Sequence, residues 1–210
     1  MKKERGILFK AKMVNAILGD IKTKTRRCAG LEVVNKNPNL YKFAGMDHNG
    51  FLFNLVGGGG HVLCHPAKGQ AGDQLWVRET FCPVSRPMND GREYKPNGVK
   101  YRATYTGTGY DGCWKPSIFM PRWASRIQLE ITGVRVERVQ EITHDGMRSE
   151  GCIPSHICGG ELHAWKRDYW IPLWESCNGK LKKTKKYGKL DLSWSANPWC
   201  WCYEFRRIKQ

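Results

Sequence analysis

The sequence predicts an α+β chain, mostly β: a small barrel with short peripheral helices and long loop insertions. Three observations lead there. Apolar residues alternate at strand spacing in several short runs. Few stretches carry helical spacing, and all are short. No strand pattern hands over to a long helix and back, so a parallel βαβ sheet is not expected. With 210 residues, 40% of them hydrophobic, the chain suits one domain spanning 1–210 with insertions.

The first strand pattern is Gly-Ile-Leu-Phe-Lys at 6–10. Residues 11–18 follow at helical spacing, and Gly19 stands where a helix end favours a left-handed backbone. Lys22-Thr23-Lys24-Thr25-Arg26-Arg27 then places cations and hydroxyls side by side. Its alternation allows a strand with Lys22, Lys24 and Arg26 on one face and Thr23, Thr25 and Arg27 on the other. A helix that stops and a polar strand that starts beside it can aim Lys22 and Thr25 into one cleft.

Residues 29–63 are rich in Asn, Lys and Gly, with Pro38 and a run of four glycines at 57–60. They read as an insertion or mobile flap outside the core, with 51–56 as a hairpin strand. The glycine run lacks the Lys-Ser/Thr and the helix of a phosphate loop. Gly72-Asp73 signals a turn before the clearest strand, 74–81, which carries Trp76, Arg78 and Glu79 in an apolar setting. Residues 83–98 read as loop and 99–105 as strand.

Pro116 and Pro121 forbid a regular helix across 114–126, which is expected to be extended and pinned by tryptophans. Arg122, Trp123 and Arg126 there suit a phosphate and a base, or equally surface charge around a core Trp. A β-rich run covers 127–142, with Gly133 as a bulge or bend. Thr143 offers an N-cap for a short helix ending in Glu150, which Gly151 closes. Residues 152–162 read as a second insertion. Helical spacing of aromatics resumes from 162 to 177, the run 180–186 reads as a solvated basic loop, and 199–208 as the last strand.

Charge is the strongest global signal: 35 Lys and Arg against 19 Asp and Glu, net +16, with pI about 9.6. Such a surface attracts polyanions, and nucleic acid, RNA or single-stranded DNA, is the first partner to consider. Nine tryptophans add faces on which bases could stack. No apolar run reaches membrane-spanning length and no apolar leader core follows the N-terminus, so a cytoplasmic location without membrane contact is expected. Nine cysteines without a Cys-x-x-Cys pair read as reduced thiols. His61, Cys64, His65, Cys152, Cys158, Cys200 and Cys202 are spaced too loosely for a zinc site, and no metal or cofactor is expected.

Four pieces together, Lys22-Thr23-Lys24-Thr25-Arg26-Arg27, Gly72-Asp73-x-Leu-Trp-Val-Arg-Glu, the stretch 142–151 and Asn197-Pro198-Trp199 leading into Tyr203-Glu204-Phe205, closely resemble the ASCH domain family. Trp-Lys-Pro-Ser-Ile and Met-Pro-Arg-Trp-Ala-Ser-Arg at 114–126 are similar to the longer ASCH proteins of bacteriophages and prophages. The resemblance implies a PUA-like β-barrel, a fold used in RNA recognition. It also implies hydrolysis of the amide of N-acetylcytidine, by a Lys and a Thr of the Lys-Thr-x-Thr motif and a Glu at the helix end. Those positions are Lys22, Thr25 and Glu150 here. Lys24, Arg26, Arg27, Trp76, Arg78, Glu79, Arg122, Trp123 and Arg126 are the candidates for holding a modified nucleoside or a nucleic acid. The chain departs from the small members in having Arg26 directly before Arg27, and in its insertions.

The residues suit this chemistry. Amide hydrolysis needs a nucleophile, a proton acceptor and a proton donor to the leaving amine. Lys22, crowded by Lys24, Arg26 and Arg27, is expected to have a lowered pKa and so to accept the Thr25 proton. Glu150 would protonate the leaving nitrogen or hold a water. The alternative is a non-catalytic RNA or single-stranded nucleic-acid-binding module, in which Lys22 and Thr25 bind phosphate and Glu150 only pairs with Lys22.

Overall fold

The computed structural model describes residues 2–85, 96–107, 114–152, 161–184 and 186–209. In order these form β1 (Glu4–Leu8), α1 (Ala11–Leu18), β2 (Lys24–Arg27), α2 (Glu32–Asn35), β3 (Tyr41–Asp47), β4 (Gly50–Leu55), β5 (His61–Cys64), β6 (Gln74–Arg78), β7 (Phe81–Ser85) and β8 (Pro96–Tyr101). Then come β9 (Gln128–Arg138), α3 (His144–Ser149), α4 (Leu162–Trp165), α5 (Ile171–Asn178), β10 (Lys182–Thr184), β11 (Gly188–Leu190) and β12 (Trp199–Ile208). The chain is α+β and mostly β, as its alternating apolar runs require.

Five strands make the main sheet in the order β1-β6-β9-β12-β2. β1 pairs with β6 in parallel, and every other pair in the sheet is antiparallel. The long strands β9 and β12 form its centre. Their register shifts where Glu204 faces Gly133 and Phe205 faces Ile131, leaving Thr132 as the extra residue of the bulge expected at Gly133. Among the described residues the ladder ends at β1 and β2, and no pairing closes it into a barrel.

Segment 29–63 departs from the expectation of a flap outside the core. β3, β4 and β5 form an antiparallel meander, and Phe51 and Phe53 are buried with Leu31 and Val34 in the main core. Phe51 meets Trp201 edge-on at 4.7 Å, and Phe53 meets Trp199 at 5.3 Å. The buried Asn35 amide donates to the Trp199 carbonyl at 2.9 Å and accepts from the Trp199 N–H at 2.7 Å. Apolar alternation in 51–55 was enough to bury one face; the polar and glycine-rich turns around it concealed that.

Other corrections are local. Gly19 keeps φ at −83°, and Asp20 takes the left-handed conformation at φ 56°. The run at 180–186 is not wholly loop: β10 pairs with β11. Segment 114–126 is held by two 3-10 turns, Ser117–Phe119 and Arg122–Ala124, instead of being extended throughout. The helical stretch after 161 is interrupted by a π-helical turn at Lys166–Trp170, with Pro172 in the first turn of α5. The second expected insertion, 152–162, lies mainly outside the described residues.

Candidate functional site

The site is assembled where α1 ends. The N–H groups of Ile21 and Lys22 both donate to the Ala16 carbonyl, at 2.9 and 3.0 Å. Lys22 therefore precedes β2 and escapes the strand alternation that would have turned it away from Thr25. The Thr23 N–H then donates to the Ser149 carbonyl at 2.8 Å, which fixes this turn against the end of α3. Thr143 caps α3 by accepting from the Gly146 N–H at 3.1 Å. Gly151, at φ 85°, ends the helix and leaves Glu150 facing Lys22.

The Lys22 ammonium spends three donors on three acceptors. It donates to the Glu150 carboxylate at 2.5 Å, to the Glu150 carbonyl at 2.9 Å and to the Lys24 carbonyl at 2.8 Å. The other Glu150 oxygen accepts from the Arg26 guanidinium at 3.1 Å, and Arg26 also donates to Glu137 at 2.5 Å. Glu137 binds Arg135 at 3.0 Å, and Arg135 pairs in turn with Glu204, which also holds Lys24 at 3.0 Å. A chain of alternating charges thus runs from a buried end at Lys22 to a half-buried end at Lys24.

Burial pulls the Lys22 pKa below its ordinary value; Glu150 resists and Arg27 adds to the lowering. The expected direction holds, but the cause is mainly desolvation rather than crowding by Lys24 and Arg26, whose charges are turned onto Glu204, Glu137 and Glu150. Burial pushes the Glu150 carboxyl up, but the charges of Lys22 and Arg26 outweigh it and hold the pKa below the ordinary carboxylate range.

Lys22, Thr25 and Glu150 line one cavity of about 470 Å³, within the size range of small-molecule sites. Its wall includes Ile7 and Leu8 of β1 and Arg26 and Arg27 of β2, so it lies at the seam between the two edges of the sheet. Arg27 spans that seam, donating to the Leu8 carbonyl at 3.1 Å, with its guanidinium 5.2 Å from the Phe9 ring centroid. Phe9, Trp170, Leu173 and Trp174 supply an apolar face, and Lys10, Lys68 and Lys182 supply cations.

Two polar atoms in this lining have no protein partner. The Thr25 Oγ1 is buried without a hydrogen bond, and so is the Trp170 indole N–H. Buried polar groups are nearly always paired, so an orphan hydroxyl beside a buried Lys-Glu pair calls for a reason. Among the described residues no cluster of His, Cys, Asp and Glu could hold a metal ion; Cys158 lies outside them.

Of the expected binding residues, only Arg26 and Arg27 line the cavity with the triad. Trp76 lies on β6 under the Arg78 guanidinium, 5.3 Å from its ring centroid, and Arg78 donates to the Ile118 carbonyl. Glu79 is buried and bound by both ends of the Arg126 fork at 2.9 and 3.0 Å. Arg126 also lies 4.0 Å from the Tyr101 ring centroid. Arg122 pairs with Glu4 at 2.6 Å, while Trp123 is 60% exposed. The sequence pattern missed Phe9, Trp170 and Trp174 as cavity residues because an aromatic in a strand pattern and aromatics at helical spacing read as core, and all three do also pack in core clusters.

No family model, characterised protein or solved structure matches the chain.

Proposed function

We propose that the chain is an ASCH-type amidohydrolase on a PUA-like fold, and that it cleaves the exocyclic amide of an acylated cytidine, N-acetylcytidine being the parent case. One observation carries the reading: Lys22, Thr25 and Glu150 meet in a single cavity in which the hydroxyl has no partner. The Thr25 Oγ1 is not bonded to the Lys22 amine in the free protein, so that nucleophile-base contact has to form as substrate binds.

The reaction balances with these groups alone. At rest the pair holds its charged form; as substrate closes the cavity, the ammonium proton of Lys22 passes to Glu150 along their 2.5 Å contact, leaving a neutral amine. That amine takes the Thr25 proton as Oγ1 attacks the acetyl carbon. The C–N bond breaks, and the exocyclic nitrogen leaves as an amine with the proton from Glu150. The acetyl group is then an ester on Thr25. Water attacks it, the Lys22-Glu150 pair relays its proton to Oγ1, and acetate and a proton are released. Arg26, on the second Glu150 oxygen, keeps the carboxylate oriented through both halves. The rings of Phe9, Trp170 and Trp174 suit the base of the substrate.

A non-catalytic module that grips RNA or single-stranded DNA is the second reading, favoured by the net charge of +16. Incubation with N-acetylcytidine separates the two. Cytidine release by the intact protein, abolished in Lys22→Met, supports hydrolysis; no release, together with salt-sensitive RNA binding, supports the module.

A further inference from the structure

A second hollow, of about 570 Å³, lies next to the cavity and has a different character. Trp114, Phe119 and Trp123 line it, with Phe81 on β7 and three prolines. Phe119 is 68% exposed and Trp123 60%. Their exposure is not a product of a loose loop. Met120 and Ala124, one residue further along, are buried against Phe81 as a small cluster of their own. The two 3-10 turns close with the Phe119 N–H on the Pro116 carbonyl and the Ala124 N–H on the Pro121 carbonyl. The anchors face in, and the rings are presented outward on a fixed backbone.

The groove continues the cavity wall. Phe81 and Lys115 exchange backbone hydrogen bonds at 3.2 and 2.8 Å. Thr80 and Ser117 line the cavity, while Phe81 and Pro116, their chain neighbours, line the groove. The two hollows thus adjoin across this hydrogen-bonded pair of segments, and a strand with one base in the cavity would cross over them onto the aromatic surface. Among the described residues the charge there has one sign: Lys115 lines the groove, the Arg102 guanidinium lies 5.5 Å from the Trp114 ring centroid, and none of the described lining residues is acidic.

Rigid exposed rings with cations beside them are what unpaired bases and their phosphates require. A protein partner would need no such charge bias, and a free nucleoside would need no second stacking surface. We infer that this groove binds the bases of a single-stranded nucleic acid, so that the acylated cytidine enters the cavity as one residue of a strand. The substrate class rests on the hydrolase reading above; the groove itself does not.

The test uses the whole protein, a labelled unmodified single-stranded RNA, free N-acetylcytidine, and the same RNA carrying one N-acetylcytidine. Phe119→Ala and Trp123→Ala are both surface changes, and each is expected to weaken RNA binding about tenfold, the value of one lost base stack. The same variants lose the preference in kcat/KM for the modified strand over the free nucleoside. Equal RNA affinity in wild type and both variants would overturn the inference. So would capture of a proline-rich peptide by a protein that does not bind RNA. If the intact protein binds RNA through the groove but releases cytidine from neither substrate, hydrolysis fails and the groove stands. If it releases cytidine equally from both and the variants change nothing, the groove fails and hydrolysis stands.

Discussion

Glu150 shows how much is staked on a single side chain. It is 4% exposed, carries charge and, among the described residues, its carboxylate is held by Lys22 and Arg26. Removing its charge leaves two buried cations short of a partner. Glu150→Gln is therefore expected to cost about 3–5 kcal/mol at neutral pH, measured by denaturant unfolding. The sign of the pH dependence follows from the lowered pKa. A carboxylate whose native pKa lies below its unfolded value contributes stability above the unfolded value, and that contribution is lost as pH falls through the native one. Stability of the wild type should thus fall on acidification more steeply than that of Glu150→Gln. Parallel profiles would mean that the carboxylate is not held in its charged form. Lys22, Thr25 and Glu150 were singled out in the sequence by their resemblance to the ASCH motif, and the structure brings the three to one cavity. Glu137, the second partner of Arg26, was not. It comes from the far end of β9, and the β9-β12-β2 order carries it beside Arg26.

At the scale of elements, the close approach of α1 and α3 sets the geometry. Gly151 makes it feasible: a Cβ there would stand 2.9 Å from the Ala16 Cβ, on a backbone at φ 85° that side chains rarely adopt. Gly151→Ala is expected to cost about 1–3 kcal/mol from strain alone. It should also displace Glu150, its chain neighbour, so any cytidine release falls more than the loss of folded protein explains. An unchanged thermal midpoint would contradict this. The helix α1, the cap at Thr143, the stop at Gly151 and the strands β6, β9 and β12 all followed from local pattern, because each is decided by residues next to one another. The switch from Gly19 to Asp20 and the start of β2 after Lys22 did not. Both depend on the hydrogen bonds that 20–22 make back to α1, a tertiary demand that spacing does not record.

Across the whole molecule, the meander β3-β4-β5 is bound into the main core through Phe51, Phe53 and the Asn35 pair with Trp199. Phe53 is fully buried against Trp199 and Phe43. Phe53→Ala is expected to lower global stability by about 3–5 kcal/mol, with fluorescence and circular dichroism still reporting one transition. A separate early transition for the meander would contradict a shared core. No helix is long and apolar enough to cross a membrane among the described residues. The mostly-β class was legible from alternation, whereas the membership of 29–63 in the core was not, since the contacts that bind it there, Phe51 with Trp201 and Phe53 and Asn35 with Trp199, are with β12, far away in sequence.

The central claim concerns the orphan hydroxyl of Thr25. Because Oγ1 makes no hydrogen bond in the protein, Thr25→Val removes a reacting group without removing a structural one. The decisive measurement is the pair of values for that one variant: its unfolding free energy and its rate of cytidine release from N-acetylcytidine. The account predicts stability equal to or above wild type and release lost. Release at the wild-type rate, or a variant that fails to fold while retaining the same shape of side chain, would contradict it.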